Sequence, residues 1–437
     1  MNKKSKYKRY ETYKDSGVEW IGEIPKHWET LANKFIFKLK KNQVGKRSNE
    51  YDLLSLTLRG VIKRNMEKPE GKFPAEFDTY QEVRSGDFVF CLFDVEETPR
   101  FIGLSSLNGM ITGAYTVLES KLKVSKEFLY YFYLNLDYDK KLKPLYKGLR
   151  NTIPKDSFFS FKTLFPPLDE QTAIANFLDD KCSKIDKALS QKEKLITLLK
   201  ERKQIIIQNA VTKGLDSKVK LKASGIEWIG KIPEHWEVKR LRYIGRTKNG
   251  ISAGAEYFGK GYPFINYNDV YNNAVLPNNF KGLANSSEEE QELYSVFEDD
   301  IFFTRTSETI EEIGISSVCF NTIKKATFAG FLIRFRPIKN MLFKGLSKYF
   351  FRCSAHRGFF VKEMNLVTRA SLSQETLKNM PVLIPPFDEQ KKIFGYLESQ
   401  TAKIDKAISI QERLIEKLKE YKAILINSAV TGKIKVF

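Results

Sequence analysis

Two proline pairs come nearest to a catalytic motif of nucleic-acid chemistry. An adenine methyltransferase holds the amino group of a flipped base with an Asn or Asp placed before Pro-Pro and an aromatic residue. Here Phe165 precedes the first Pro-Pro pair and Ile384 precedes the second, so both lack the polar acceptor. The sequence therefore does not predict a base-holding loop of this kind.

Two other segments have the composition of a catalytic site without its spacing. Residues 254–260 resemble a phosphate-binding loop, but Gly261 stands where Ser or Thr would hold Mg²⁺. Residues 119–121 form an isolated Glu-x-Lys without a suitably spaced Asp, which is more typical of a surface ion pair than of a nuclease. We therefore expect no catalytic residue, cofactor site or metal site in this chain.

His27 and His235 each stand directly before a tryptophan, within two nearly identical segments. Catalysis would need a nucleophile and a carboxylate arranged around the ring in both copies, and no neighbouring residues supply them. We predict instead that both histidines are packed or hydrogen-bonded beside the aromatic residues.

The net charge of +20, together with 33 Phe and 20 Tyr, indicates a polyanionic partner. The alternative is a basic protein that its charge keeps soluble. The four cysteines show no metal-ligand spacing, so we expect buried thiols in a reducing cytoplasm. No run approaches the ~20 apolar residues of a membrane helix, so we expect no membrane association.

Two kinds of segment occur twice along the chain. Residues 16–29 (SGVEWIGEIPKHWE) are repeated almost unchanged at residues 224–237 (SGIEWIGKIPEHWE). A Gly-x-Ile-Pro turn lies between the paired tryptophans, which include Trp20 in the first copy, and this predicts a bent, anchored strap rather than a helix. The stretches that follow, 30–164 and 238–383, barely resemble each other. The order is constant, variable, constant, variable, constant.

The second repeat has the sequence of a long helix. Pro-Pro followed by Asp-Glu-Gln, at residues 169–171 and 388–390, places carboxylates at the positive end of a helix dipole. Seam positions then alternate at spacings of four and three, and apolar residues occupy most of them: Ile185, Leu189, Ile196, Leu199 and Ile206, matched by Ile404, Ile408, Ile415, Leu418 and Leu425. Polar residues fill the remaining seam positions: Lys192 and Gln411, and Lys203 and Lys422. This heptad pattern predicts two helices of about 60 Å that pair with each other, with two polar layers fixing their register.

The second helix ends close to the end of the chain, whereas the first leads within a few residues into the second strap. Joining the C-terminus to the N-terminus would regenerate the same junction. We infer a circular arrangement of two half-units with adjacent termini.

These repeated segments resemble those of the specificity subunits of type I restriction–modification enzymes. The resemblance covers nearly the whole chain, and it rests on the strap, the PP-x-DEQ helix start, the KIDKA-x-S heptads and the AVT ending, each present twice. Residues 247–270 and 298–318 also resemble parts of a target recognition domain. Residues 85–95 and 113–119 are similar to another subclass of that domain.

The resemblance implies an α/β (α+β) fold, in which two globular target recognition domains are joined by two long helices in an antiparallel coiled coil. The whole is expected to be pseudo-two-fold and circular. We predict a first domain at 1–164, a first helix at 165–213, a second domain at 214–383 and a second helix at 384–437. Strands are expected at 88–93, 301–304 and 331–335.

The resemblance also implies a non-catalytic subunit that binds double-stranded DNA and reads one half of a bipartite target with each domain. Two methyltransferase subunits and motor–nuclease restriction subunits would be its partners. S-adenosylmethionine, ATP and Mg would belong to those partners. The alternatives are a DNA-recognition subunit of a related fused restriction–methylation enzyme, or a stand-alone DNA-binding or anti-restriction scaffold.

Residues that contact DNA should be polar or basic residues in loops rather than the apolar strands, because phosphate contacts position a protein and base-edge contacts specify the sequence. In the first domain the candidates are Lys46, Arg47, Arg59, Lys63, Arg64, Arg100 and Arg150. In the second they are Lys248, Asn249, Lys260, Tyr262, Asn266, Tyr267, Asn268, Arg305, Thr306, Ser307 and Arg369. For any single residue, ordinary solvated surface is the alternative.

Overall fold

The computed structural model describes residues 7–18, 21–65, 76–138, 140–307, 309, 312–363 and 370–437. Trp20 and Arg369 therefore lie outside the described residues. Contacts divide the chain into two compact units, one of Met1–Lys192 with Glu412–Phe437 and the other of Glu193–Gln411. This division falls inside both long helices, whereas the sequence prediction kept each helix as a segment of its own.

The first part of the chain forms small sheets, short helices and one long helix. In order these are β1 (Tyr13–Asp15), β2 (Glu23–Pro25), β3 (Glu29–Ala32), α1 (Asn33–Ile36), β4 (Phe37–Leu39), β5 (Leu54–Thr57), β6 (Gly60–Lys63), β7 (Gln81–Val83), β8 (Phe88–Phe90), β9 (Ile102–Leu104), β10 (Gly109–Ile111), β11 (Thr116–Ser120), α2 (Lys126–Tyr138), α3 (Lys155–Ser160), β12 (Lys162–Phe165) and α4 (Leu168–Lys213).

The second part repeats this plan with a longer variable stretch. Its elements are β13 (Leu221–Ala223), β14 (Lys231–Pro233), β15 (Glu237–Arg240), β16 (Gly245–Asn249), β17 (Phe258–Ile265), α5 (Tyr267–Tyr271), β18 (Leu283–Ala284), α6 (Glu288–Leu293), β19 (Ile301–Thr304), β20 (Thr306–Ser307), β21 (Ser316–Val318), β22 (Thr327–Phe328), β23 (Leu332–Pro337), α7 (Lys344–Phe350), α8 (Ser354–Glu363), β24 (Ala370–Ser371), α9 (Gln374–Asn379), β25 (Pro381–Ile384) and α10 (Phe387–Val430). The three predicted strands correspond to β8, β19 and β23, and both predicted helices are present.

The main sheet of each unit has four antiparallel strands in the same order. That order is β4-β11-β8-β9 in the first unit and β16-β23-β19-β21 in the second. In both sheets the last strand along the chain lies between the first and the second, and the third occupies an edge. The two variable stretches therefore share one topology despite their dissimilar sequences.

The turn that enters the inner strand is also the same in both sheets. Asp87 before β8 and Asp300 before β19 each accept a hydrogen bond from the backbone N–H three residues earlier, at 2.7 Å. Each carboxylate is buried and ion-paired, Asp87 with Lys40 at 2.7 Å and Asp300 with Arg336 at 2.6 Å. An unpaired buried carboxylate would be destabilising, so the basic partner stabilises this turn in each unit.

The straps are held by the first turn of the long helices. Glu170 of α4 accepts hydrogen bonds from Trp28 Nε1 at 2.9 Å and pairs with His27 Nε2 at 2.6 Å. In the second unit Glu389 of α10 accepts from Trp236 Nε1 at 3.2 Å and pairs with His235 at 2.8 Å. The predicted hydrogen bonding of the two histidines is confirmed.

The glutamine after each of these glutamates ties the helix start to the variable domain. Gln171 accepts a hydrogen bond from the backbone N–H of Ser125 just before α2, and Gln390 accepts one from Phe343 just before α7. Both glutamine side chains are buried and also donate to a carbonyl of the preceding Pro-Pro segment. The Asp-Glu-Gln segment thus joins helix, strap and domain.

Helices α4 and α10 pair antiparallel within each unit through the predicted seam. Ile185, Ile404, Ile408, Ile415 and Leu425 are at most 8% exposed. Two of the seam lysines form ion pairs across the helices: Lys203 with Asp405 and Lys422 with Asp186, each at 2.7 Å or less. Partly exposed ion pairs stabilise by only about 0–1 kcal/mol, so we assign them to register rather than to stability.

The two ends of the described chain lie side by side in the first unit. The backbone N–H of Lys435 donates to the carbonyl of Lys8 at 2.8 Å, and Tyr13 Oη donates to the carbonyl of Gly432. The expectation of adjacent termini is confirmed. Cys91, Cys182, Cys319 and Cys353 are all free and buried, as expected.

Candidate nucleic-acid interface

The hairpin of β5 and β6 brings three predicted DNA-binding residues together. Leu54, Leu56 and Val61 face the core, so the alternating residues of the hairpin face outward. A groove beside the hairpin is lined by Ser55, Thr57, Arg59, Ile62, Lys63, Arg64 and Asn65. Arg59 is exposed at the hairpin turn, and Lys63 forms an exposed ion pair with Asp52 at 2.7 Å. Hydroxyl, amide and guanidinium groups in one groove suit contacts with phosphates and base edges.

The remaining candidates of the first unit differ in their exposure. Lys46 and Arg47 are exposed in the short 3₁₀ helix Gly45–Glu50, and Arg150 is exposed in a turn. Arg100 is not available in the same way, since its side chain is only 12% exposed. Its guanidinium lies 3.6 Å from Asp137 and donates to the carbonyl of Leu58. Through these contacts Arg100 ties the hairpin to α2.

In the second unit, the end of β19 and helix α5 bring several candidates together. Arg305 follows β19 directly, with its backbone N–H bonded to Phe331 and its carbonyl accepting from Leu372. Its guanidinium has no hydrogen-bond or ion-pair partner among the described residues. Glu308 and Glu311, its possible ion-pair partners in the sequence, lie outside the described residues. The two backbone hydrogen bonds, to Phe331 and from Leu372, fix Arg305 at the end of a buried strand.

The residues next to Arg305 are partly committed to the fold. Ser307 is buried, and its hydroxyl donates to Glu312 at 3.3 Å. Glu312 also accepts from Tyr271, which stacks with Tyr267 at 5.7 Å between ring centres. Thr306 remains partly exposed in β20. The aromatic pair and the carboxylate support the segment that carries Arg305.

The polar residues of α5 have different roles. Asn266 caps the helix, because its backbone N–H donates to Asp269 Oδ2 at 2.8 Å. Asn268 is exposed one residue into the helix. Of these two residues only Asn268 is exposed, so its side-chain amide is accessible for hydrogen bonds to base edges.

The other candidates of the second unit lie on two other strands, β16 and β17. Lys248 of β16 lies 4.8 Å from the centre of the Tyr294 ring, and burial, with a smaller effect of Arg334, lowers its pKa. Asn249 is half-buried at the end of the same strand, whereas Lys260 is exposed in β17. Tyr262 of β17 lines a separate cavity.

The two units do not offer the same side chain at equivalent positions. The carbonyls of Leu92 and Arg305 accept equivalent backbone hydrogen bonds. The donors, Ile153 and Leu372, each lie two residues before a short helix, α3 and α9 respectively. Leu92 is buried, whereas Arg305 is partly exposed. The shared topology therefore carries different surfaces. Ser55, Thr57 and Asn65 were missed from the sequence, although the alternation of LLSLTLRG could have indicated the first two.

A family model for the type I restriction modification DNA specificity domain matches residues 233–420. The specificity subunit of the type I restriction enzyme EcoKI from Escherichia coli is 27% identical over 302 residues, which cover 66% of this chain and 61% of that subunit. The putative MjaX specificity subunit of Methanocaldococcus jannaschii is 23% identical over 95% of this chain and 96% of its own length.

This chain is similar to the specificity subunits of type I restriction enzymes. These relatives are named specificity subunits of type I restriction enzymes. The predicted resemblance is thus confirmed.

Solved structures agree on the fold. A chain from work on complex assembly and conformational transition of the type I R-M system superposes with a TM-score of 0.68 at 14% identity and covers 93% of this chain. The HsdS subunit of Thermoanaerobacter tengcongensis superposes with a TM-score of 0.53, also at 14% identity, over 94% of this chain. The predicted α/β fold with coiled-coil helices is confirmed. Within the described residues, no helix is long and apolar enough to cross a membrane.

Proposed function

We propose that this specificity subunit reads a bipartite DNA target, with one half-site bound by each variable domain. The observation that supports this most is the shared sheet topology, which presents different exposed side chains in the two units. The hairpin groove with Arg59, Lys63 and Arg64 would read or clamp one half-site. The segment with Arg305, Thr306 and Asn268 would read the other. The long helices would set the unread spacer between them.

We also propose that the paired helices bind methyltransferase subunits, to which motor–nuclease subunits are then added. Each unit has exposed apolar side chains on its helices outside the seam. In the second unit these are Leu195, Leu198 and Ile205, which are 40%, 50% and 59% exposed, and in the first they are Leu414, Tyr421 and Ile424, at 38%, 48% and 55%. Heptad-related spacing of such residues suits the packing of further helices and favours a scaffold over a stand-alone DNA-binding protein.

Exchange of residues 30–164 for another variable domain tests the two-reader proposal. Thr30 pairs directly with Leu164 in β3 and β12, so both junctions lie within one strand pair and the framework stays intact. We expect the methylated motif of a reconstituted complex to change in one half-site and keep the other. Sequencing of methylated adenines reads this out, and a simultaneous change of both halves would contradict it.

Arg305→Ala should relax one base position in the half-site read by residues 238–383. A bidentate arginine–guanine contact discriminates by ~1–3 kcal/mol, which is roughly 5- to 150-fold. Arg305→Lys should recover only part of this discrimination, because a lysine ammonium lacks the planar fork. The measurement is the methylated motif together with the affinity for single-base variants of the site.

Arg246→Ala is the matched control, since Arg246 is exposed on β16 of the same unit and is not a candidate. If Arg305→Ala lowers the melting temperature but leaves the motif unaltered, Arg305 has a structural role, and the base-reading assignment fails.

A further inference from the structure

A cavity of about 830 Å³ in the second unit lies at the opposite end of β19 from Arg305. Phe297 lines it four residues before the strand begins, whereas Arg305 follows the strand's last residue. Its other lining residues come from β17, α6, β23 and the turn between β21 and β22. The proposed reading of base edges does not use this cavity.

The walls of the cavity are fixed by backbone hydrogen bonds. The N–H of Ile323 donates to the carbonyl of Val296 at 3.1 Å, and the N–H of Glu298 donates to Thr322 Oγ1 at 3.0 Å. Lys325 adopts a left-handed backbone with φ of 59° at the tip of the turn. Such a conformation is uncommon for a residue other than glycine. The hydrogen bonds of Ile323 and Glu298 hold the turn in which it occurs.

Two aromatic rings offer accessible surface in this cavity. Phe297 is 47% exposed and Tyr262 is 36% exposed. The Arg336 guanidinium lies 4.3 Å from the centre of the Phe297 ring and is itself held by both oxygens of Asp300 at 2.6 Å. This arrangement orients the Phe297 ring, so it can serve as a preorganised stacking platform.

The accessible charge in the cavity is positive. Asp300 neutralises Arg336, which leaves Lys324, Lys325 and Glu292 as the other charged lining residues. Lys325 Nζ lies 4.9 Å from the centre of the Tyr262 ring. Lys324 is exposed and has no ion-pair partner among the described residues. A ligand with both a flat ring and an anionic group would match these features.

We infer that this cavity binds a nucleoside 5′-phosphate group, with the base against Phe297 and Tyr262 and the phosphate at Lys324 and Lys325. The group could come from a free nucleotide or from an unpaired residue of a DNA strand. A base inside a duplex is already stacked on its neighbours, so the platform accepts a base only outside the stack. The inference goes beyond the proposed reading of duplex half-sites.

Ligand-observed NMR titration of the full-length chain with adenosine 5′-monophosphate and with hexathymidylate tests the inference. We expect saturable binding that weakens about tenfold in Phe297→Leu, because the leucine removes base stacking. Lys324→Gln should weaken binding about fivefold and lower its salt dependence, because one phosphate contact is lost. Lys324 is exposed, so this second variant keeps the test valid if Phe297→Leu is poorly folded.

Lys339→Gln is the matched control, since Lys339 is exposed in the same unit and does not line the cavity. Binding of the mononucleotide alone supports a free-nucleotide source, and binding of the hexamer alone supports a DNA strand. If neither ligand binds, or if Phe297→Leu and Lys324→Gln both bind like the original chain, the inference is wrong. No duplex is present in these titrations, so their result is independent of bipartite recognition.

Discussion

Duplex binding by the full-length chain is expected to weaken by roughly 10³–10⁵-fold when the salt concentration rises from about 50 to 200 mM. A protein that neutralises about 6–10 phosphates releases the counterions condensed on them, so its affinity falls steeply with salt. The net charge of +20 and the basic hairpin groove of the first unit support contacts of this number. Fluorescence anisotropy with a labelled duplex at several salt concentrations measures the slope.

Single lysine variants show which residues contribute to this slope. Lys63→Ala and Lys260→Ala should each reduce the slope of the logarithm of affinity against the logarithm of salt concentration by about one. Each should also weaken binding to all sequences by a similar factor. Lys403→Ala is the control, because Lys403 is exposed on α10 away from the seam. A nearly flat salt response of the unmodified chain would contradict DNA binding and point to a scaffold for proteins.

An insertion into only one long helix should weaken binding to the complete target by about 10²–10⁴-fold. Seven residues added after Gln191 lengthen α4 but not α10, so the facing seams no longer match along the pair. If one domain then cannot reach its half-site, the gain from linking two binding events is lost. Affinity for the complete target, compared with that for each half-site alone, measures this effect.

Insertion of seven residues after both Gln191 and Ile410 is the informative comparison. These positions lie 219 residues apart (410 − 191), the offset of the helix repeat, and a complete heptad keeps the apolar seam on both helices. Seven residues add about 10 Å, which corresponds to about three base pairs of spacer. Restored affinity for a target with the longer spacer is expected, and an unchanged target would remove the spacer role from the helices.

The repeated segments could be interpreted from the sequence because their signals are local and occur twice. Proline, carboxylate and heptad positions placed both long helices, and the Gly-x-Ile-Pro turns indicated the straps. The limits of the variable stretches were also visible, since Thr30 pairs with Leu164, and Val238 with Leu383, in the strands that close each domain. Each of these features depends on residues close in sequence or on comparison of two copies.

Only the tertiary structure decided which polar residues remain available for a ligand. Arg100 and Arg59 look alike in the sequence. In the structure Arg100 forms an ion pair with Asp137, 37 residues away, whereas Arg59 stays exposed. Tyr262 likewise joins a cavity with residues from four other segments. Burial and ion pairing depend on residues that are distant in sequence, and no local pattern records them. The repeats therefore determined the frame, whereas the packing of each domain determined its surface.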